Sequence, residues 1–301
     1  MEKKIWLVTG ASKGIGLALV KLLLAKDQKV AAASRNASDI ADKISDHREN
    51  LLALTVDITH SQEVATSVAK IIAHFGRLDV IVNNAGYSIY GSVEALSEQE
   101  FRQAIDVNLF GTVNVIRAAM PYLRQQRSGH IINISSVAGY RGYGNSPSYA
   151  AAKFAVRGLS ESLAEEVKEF NIRVTMVAPG FFRTSFLDKG DQLVSKNTID
   201  EYHVDRLVNV LKKMNGHQKG DPEKLAAAII QITEETNPPV HLLMGPDAYE
   251  IVSEKFKADM NEIEQWKALT ISTDLDDSDD THQFDETTRF LRPGSRKKDF
   301  T

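Results

Sequence analysis

TGASKGIG, residues 9–16, closes a short apolar run, KIWLV at 4–8, and opens a longer one, LALVKLLLAK at 17–26. A strand, a glycine-rich turn and a helix in that order form a site for phosphate. The glycines permit a tight turn, and backbone amides at the helix N-terminus can approach a pyrophosphate. Gly10, Gly14 and Gly16 fall in the spacing G-x-x-x-G-x-G, a variant of the commoner dinucleotide pattern.

The same alternation continues down the chain. KVAAASR at 29–35, LLALTVD at 51–57, LDVIVNNAG at 78–86, GHIINISS at 129–136 and IRVTMVAPG at 172–180 read as strands. Helical patterns separate them: 14–26, a weak one over 37–46, then 61–75, a long one over about 98–126, and 149–169. Strands that are apolar throughout and separated by helices predict a parallel sheet covered on both faces. The expected fold is α/β, a Rossmann-type doubly wound parallel sheet in a single domain. After Pro179 the pattern loosens into a variable lid over about 181–220. Asp221 and Pro222 then cap a helix, PPVHLLMG at 238–245 reads as a last strand, and a helix over 247–268 follows. The dinucleotide domain is expected over 1–270. A C-terminal tail, 271–301, acidic first and basic last, reads as mobile.

Bulk numbers exclude several function classes. The 301 residues carry a net charge of −4, which argues against a nucleic-acid binder. There is no cysteine, hence no disulfide, thiolate nucleophile or cysteine metal site, and no metal is expected. The N-terminus lacks the long apolar core of a signal peptide, and Lys21 interrupts the longest apolar run, so neither export nor a membrane span is expected. A cytoplasmic location fits these features.

The end of the second strand selects the cofactor. An acidic residue there would bind the ribose 2′-hydroxyl of NAD, whereas an arginine accommodates the 2′-phosphate of NADP. Here Ser34 stands at that position, Arg35 follows, and Lys13 lies in the glycine loop. Two cations and no carboxylate favour NADPH over NAD. Asp57, ending the third strand, is placed either to accept from the adenine amino group or to begin the next helix turn with Thr59.

In PSYAAAKF, 147–154, Tyr149 and Lys153 lie one helical turn apart on one face. An ammonium that close favours ionisation of the phenol. The pairing is useful where a tyrosine must exchange a proton near neutral pH.

With TGASKGIG, NNAG at 83–86, Asn108, Ser136 ending NISS, YAAAK at 149–153 and PGFFRT at 179–184, the chain resembles the short-chain dehydrogenase/reductase family. The resemblance covers about residues 3–265. It implies a nicotinamide-dependent oxidoreductase with a catalytic group of Asn108, Ser136, Tyr149 and Lys153. Tyr149 would be the proton donor in carbonyl reduction and acceptor in alcohol oxidation. Lys153 would lower its pKa and hold the nicotinamide ribose, which for two to three units requires about 3–4 kcal/mol. Ser136 would bond the substrate oxygen, with Ser135 as the competing choice. Asn108 would hold a water linking Lys153 to solvent. The implied cofactor site adds Ser12, Ile15, Ile58, Asn83 near the adenosine, Ala85, Gly86, Pro179 and Gly180. It also uses the amide of Phe182 and the hydroxyl of Thr184 to orient the carboxamide.

Aromatic and aliphatic residues gather on the expected substrate side: Tyr87, Ile89, Tyr90, Tyr140, Tyr143, Phe181, Phe182, Phe186 and Leu187. They point to an apolar pocket and a small-molecule ketone, aldehyde or secondary alcohol. The C-terminal half bears a weaker similarity to retinol and 17β-hydroxysteroid dehydrogenases. The helices about 101–126 and 150–168 carry apolar residues on more than one face, and the resemblance implies a homodimer or homotetramer through them. The alternatives are an NAD-linked alcohol dehydrogenase and a non-catalytic dinucleotide sensor. The second should have lost one of Ser136, Tyr149 and Lys153, and all three are present.

Overall fold

The computed structural model describes residues 3–188 and 194–273. Seven parallel strands form one sheet in the order β3-β2-β1-β4-β5-β6-β7. They are β1 Ile5–Thr9, β2 Lys29–Ser34, β3 Leu51–Thr55, β4 Val80–Asn83, β5 Gly129–Ile134, β6 Ile172–Pro179 and β7 His241–Met244. The helices are α1 Gly14–Ala25, α2 Ser38–Ala41, α3 Ser61–Phe75, α4 Glu98–Ile105, α5 Gly111–Gln126 and α6 Pro147–Glu166. Then come α7 Val204–Met214, within the expected lid, and α8 Pro222–Ile232, α9 Pro246–Gln265 and α10 Lys267–Ile271. This is the expected Rossmann-type sheet.

Period-two alternation divides each strand between two cores. Ile5 and Leu7 of β1, with Ala31 and Ala33 of β2, pack under α3, α5 and α6. Trp6 and Val8, with Val30 and Ala32, pack under α1 and α8. Both faces are therefore dry, which is why the strands read as unbroken apolar runs. The strand order reverses between β1 and β4, and the loops that leave these two strands frame the crevice where such sheets bind ligands.

Three elements differ from the sequence reading. The weak helix over 37–46 is a single turn, α2, after which the amides of Lys43 and Ile44 bond carbonyls three residues back and the Arg48 side chain takes the Ala41 and Ile44 carbonyls. The long helix over 98–126 is two helices joined by a π-helical turn, Asp106–Phe110, that contains Asn108. Contacts divide the chain into a unit ending at Lys255 and a second from Phe256, earlier than the expected boundary at 270. In the second unit Met260, Ile263, Trp266 and Leu269 are exposed. The expected tail lies outside the described residues from 274 onward, as do lid residues 189–193. Asp221 caps α8 as expected, accepting from the amides of Glu223 and Lys224 at 2.8 and 3.3 Å.

Candidate active site

A cleft of about 550 Å³ opens at the strand reversal. Its wall includes Gly10, Ser12, Lys13, Gly14 and Ile15 of the glycine loop, Ser34 and Arg35 after β2, and Asp57 and Ile58 after β3. Asn84, Ala85 and Gly86 after β4 complete one side, and Thr184 and Phe186 the other.

The two framing loops are tied together. Thr9 Oγ1 accepts from the amides of Asn84 and Ala85 at 3.0 and 3.1 Å. The Asn84 side-chain amide donates to the carbonyls of Thr9 and Gly10 at 3.0 and 3.2 Å. A β-carbon at Gly16 would lie 2.5 Å from the Gly10 carbonyl oxygen and 2.6 Å from Asn84 Nδ2. Close approach, rather than an unusual φ, requires glycine there. This cradle of amides and small residues fits a dinucleotide pyrophosphate.

Other expected cofactor residues lie behind the wall. Asn83 is buried in a polar chain: its amide donates to Asn133 Oδ1 at 2.8 Å, and Asn133 donates to Ser160 Oγ at 2.9 Å. The asparagine at the cleft is its neighbour Asn84, since strand alternation turns Asn83 away. Pro179 ends β6, and the Gly180 amide donates to the Met244 carbonyl at 2.9 Å. The Phe182 ring packs into the core under α1 and α8. Thr184 Oγ1 accepts from the Phe186 amide at 3.3 Å. At Asp57 the helix-turn expectation is seen, at the edge of the cleft. Its Oδ1 accepts from the amide and hydroxyl of Thr59 at 2.9 and 2.7 Å. Burial alone would raise this carboxyl, but the bonds from Thr59 outweigh it and hold it below the usual range.

The catalytic candidates converge next to the cleft. The Phe186 ring lines the cleft and stands 6.0 Å from the ring of Tyr149. Lys153 Nζ lies 5.5 Å from the centre of the Tyr149 ring and donates to the Ile134 carbonyl at 2.8 Å. Ser135 is buried and donates to the Lys153 carbonyl at 3.1 Å, so it is structural. Ser136 is the serine that acts on the Tyr149 phenol, drawing its pKa down. The Ser136 hydroxyl also accepts from the Ala138 amide at 3.1 Å. Asn108 Nδ2 donates to the carbonyls of Tyr87 and Ala104, both at 2.9 Å. Its Oδ1 is buried without a partner. A β-carbon added at Gly86 would lie 2.5 Å from that oxygen and 3.5 Å from Lys153 Nζ, so the orphan acceptor and the ammonium flank one small space. A water there would satisfy both groups.

The electrostatics depart from the sequence expectation. Burial dominates at Tyr149 and pushes the phenol above its usual value; the Ser136 bond opposes this and Tyr90 adds to the rise. Burial also depresses Lys153 to about 8. The ammonium sits over the ring face and against a carbonyl. Without a further cation it does not bring the phenol down.

The aromatic gathering proves divided. Tyr87 and Phe186 line the cleft. Tyr140 is buried, its hydroxyl 3.1 Å from His241 Nδ1, and Tyr143 packs on Ala248 and Val252. Ile89 belongs to a small cluster with Leu96 and Ala104. Tyr90 ties down the segment from Val194 to α7: the Ser195 amide donates to its carbonyl at 2.8 Å, and its ring packs on Val204 and Val208 of α7. Among the described residues no cluster of His, Asp or Glu has the arrangement of a metal site, and no helix is long and apolar enough to cross a membrane.

A Rossmann sheet, a glycine cradle at the strand reversal and a Ser-Tyr-Lys group beside it define a nicotinamide-dependent oxidoreductase. Comparison with known proteins narrows the class. The family model for short chain dehydrogenase matches residues 4–192, more than half of the chain, and the protein belongs to the short-chain dehydrogenase/reductase family. It is 39% identical over 250 residues to a 3-ketodihydrosphingosine reductase of Bacteroides thetaiotaomicron, covering 82% of this chain and 89% of that one. A short-chain dehydrogenase from Streptomyces avermitilis superposes with a TM-score of 0.82 at 31% identity, covering 91% of this chain and all of the other. ElxO, solved with NADP bound, has a TM-score of 0.68 at 31% identity, covering 81% and 97%.

Proposed function

We propose that the protein is an NADPH-dependent reductase of an apolar ketone or aldehyde, with Tyr149 as proton donor. The observation that carries the reading is the convergence of Ser136, Tyr149 and Lys153 at the rim of a cleft whose adenosine end presents Arg35 and Lys13. The NADP-bound relative and the relative named as a 3-ketodihydrosphingosine reductase support the cofactor and the substrate class. NADPH, when bound, supplies the hydride.

The chain's own groups do the rest. Ser136 holds the carbonyl oxygen and stabilises the charge that develops on it. Tyr149 donates its proton to that oxygen as the charge grows. The raised phenol pKa keeps Tyr149 in its protonated form, the form that donates. Lys153, with a pKa near neutrality, replenishes the proton through the space beside Asn108. Phe186, and the lid fastened at Tyr90, exclude water from the reacting centre.

The test is oxidation of NADPH and NADH over a panel of ketones, aldehydes and quinones, with Tyr149→Phe as the control. The expected outcome is NADPH-preferring turnover of apolar carbonyls, with kcat falling about 10²–10⁴-fold in Tyr149→Phe while NADPH binding is retained. Turnover that survives the substitution removes Tyr149 from the mechanism.

A further inference from the structure

We infer that Lys43 is a third cation of the 2′-phosphate site and a determinant of the choice between NADPH and NADH. The inference rests on the NADPH reading above.

Lys43 lies just past α2, outside every motif in the chain. Its ammonium donates to the carbonyl of Ser12 at 2.8 Å, crossing from residue 43 to the glycine loop. Ser12 and Lys13 share the cleft wall with Ser34 and Arg35. The two segments are adjacent because the Ala11 amide donates to the Ala33 carbonyl at 3.1 Å, extending the pairing of β1 with β2. Lys43 is exposed and stands outside the cleft lining, but its Nζ meets the Ser12 carbonyl where the second strand ends, beside the backbone that carries Lys13.

The position is built. Ile40 and Ile44 flank Lys43 and are buried, 0% and 4% exposed, so the turn is anchored on both sides. Arg48 bonds the carbonyls of Ala41 and Ile44 at 3.1 and 2.9 Å and closes the turn. An ammonium has three donors, and the Ser12 carbonyl takes one. The other two can meet an anion at the cleft rim. Of the carboxylates in these segments, Asp39 accepts from Asn36 Nδ2 at 3.3 Å and Asp57 from Thr59. The 2′-phosphate is the one part of the cofactor that distinguishes NADPH from NADH, and a cation at this corner acts on that group.

The test is binding of 2′,5′-ADP and 5′-AMP by calorimetry, without substrate or turnover, for the wild type, Lys43→Met and Lys43→Arg. The expected result is that the wild type prefers 2′,5′-ADP. Lys43→Met then loses about tenfold in affinity for 2′,5′-ADP with 5′-AMP unchanged, and Lys43→Arg retains most of it. If both ligands weaken alike in Lys43→Met, the residue only supports the glycine loop through Ser12, and the inference falls. It falls also if neither changes while the wild type still prefers 2′,5′-ADP. A wild type without that preference overturns the NADPH reading itself. Thermal unfolding of each variant shows whether the fold is intact.

Discussion

The Lys153 ammonium is 4% exposed, and among the described residues its one hydrogen bond is to a neutral carbonyl. Burial without an anion disfavours the charged form and brings its pKa from 10.5 to about 8. The sign of the stability effect follows from that depression. Below about pH 8 both folded and unfolded chains hold the proton, and the full penalty of the buried charge is present. Between about 8 and 10.5 the unfolded chain holds a proton that the folded chain has released, so stability rises with pH. Lys153→Met lacks this dependence. The melting temperature of the wild type relative to Lys153→Met is therefore expected to rise from pH 8 to 10.5 in calorimetry at fixed ionic strength. A gap that stays constant would show that the ammonium bears no such penalty. The spacing of tyrosine and lysine showed which groups meet. It could not show that burial outweighs their electrostatic coupling, because desolvation depends on what the sheet and the helices around Asn108 place over them.

At the scale of elements, the glycine loop works because the loop after β4 is clamped to it. Gly16→Ala puts a methyl group against the Gly10 carbonyl and Asn84 Nδ2, backbone on one side and the clamp on the other. Neither can move without opening the crevice. The expected cost is about 1–3 kcal/mol in urea unfolding. NADPH affinity, read from cofactor fluorescence, is expected to fall more than tenfold, since the amides no longer converge. Unchanged affinity would mean that the loop relaxes without help from Asn84. The strands were legible because apolar runs and glycine turns are local signals. Which asparagine of NNAG faces the cleft was not: Asn83 and Asn84 differ only in register at the end of a strand. The π-helical turn at Asn108 was half legible. An asparagine in an apolar helix signals a local departure, but only the carbonyls of Tyr87 and Ala104 explain its form. Lys43 had no signal, for nothing in residues 37–46 shows that the turn folds onto the glycine loop.

At the scale of the whole molecule, two phenylalanines stand at the surface where the helix that carries Tyr149 and Lys153 meets its neighbour. Phe110, in the π-helical turn, is 52% exposed, and Phe154 of α6 is 42% exposed; the turn packs against α6. Leu159 and Leu163 of the same helix turn inward to the core. The second apolar face expected of these helices therefore narrows to Phe110 and Phe154, with Phe101 and Ile105 in a shallow groove beside Phe110. Exposed aromatics on neighbouring elements favour self-association, because symmetric pairing removes both patches from water at once. Particles of at least twice 33.3 kDa are expected in light scattering. The double variant Phe110→Asp, Phe154→Asp is expected to run as a monomer, since it places two charges on each side of the contact. Its sheet should remain intact by circular dichroism, as neither ring belongs to the two cores beneath the helices. A wild type that is already monomeric would remove the pairing altogether. A variant that keeps the oligomeric mass would move the interface off these helices.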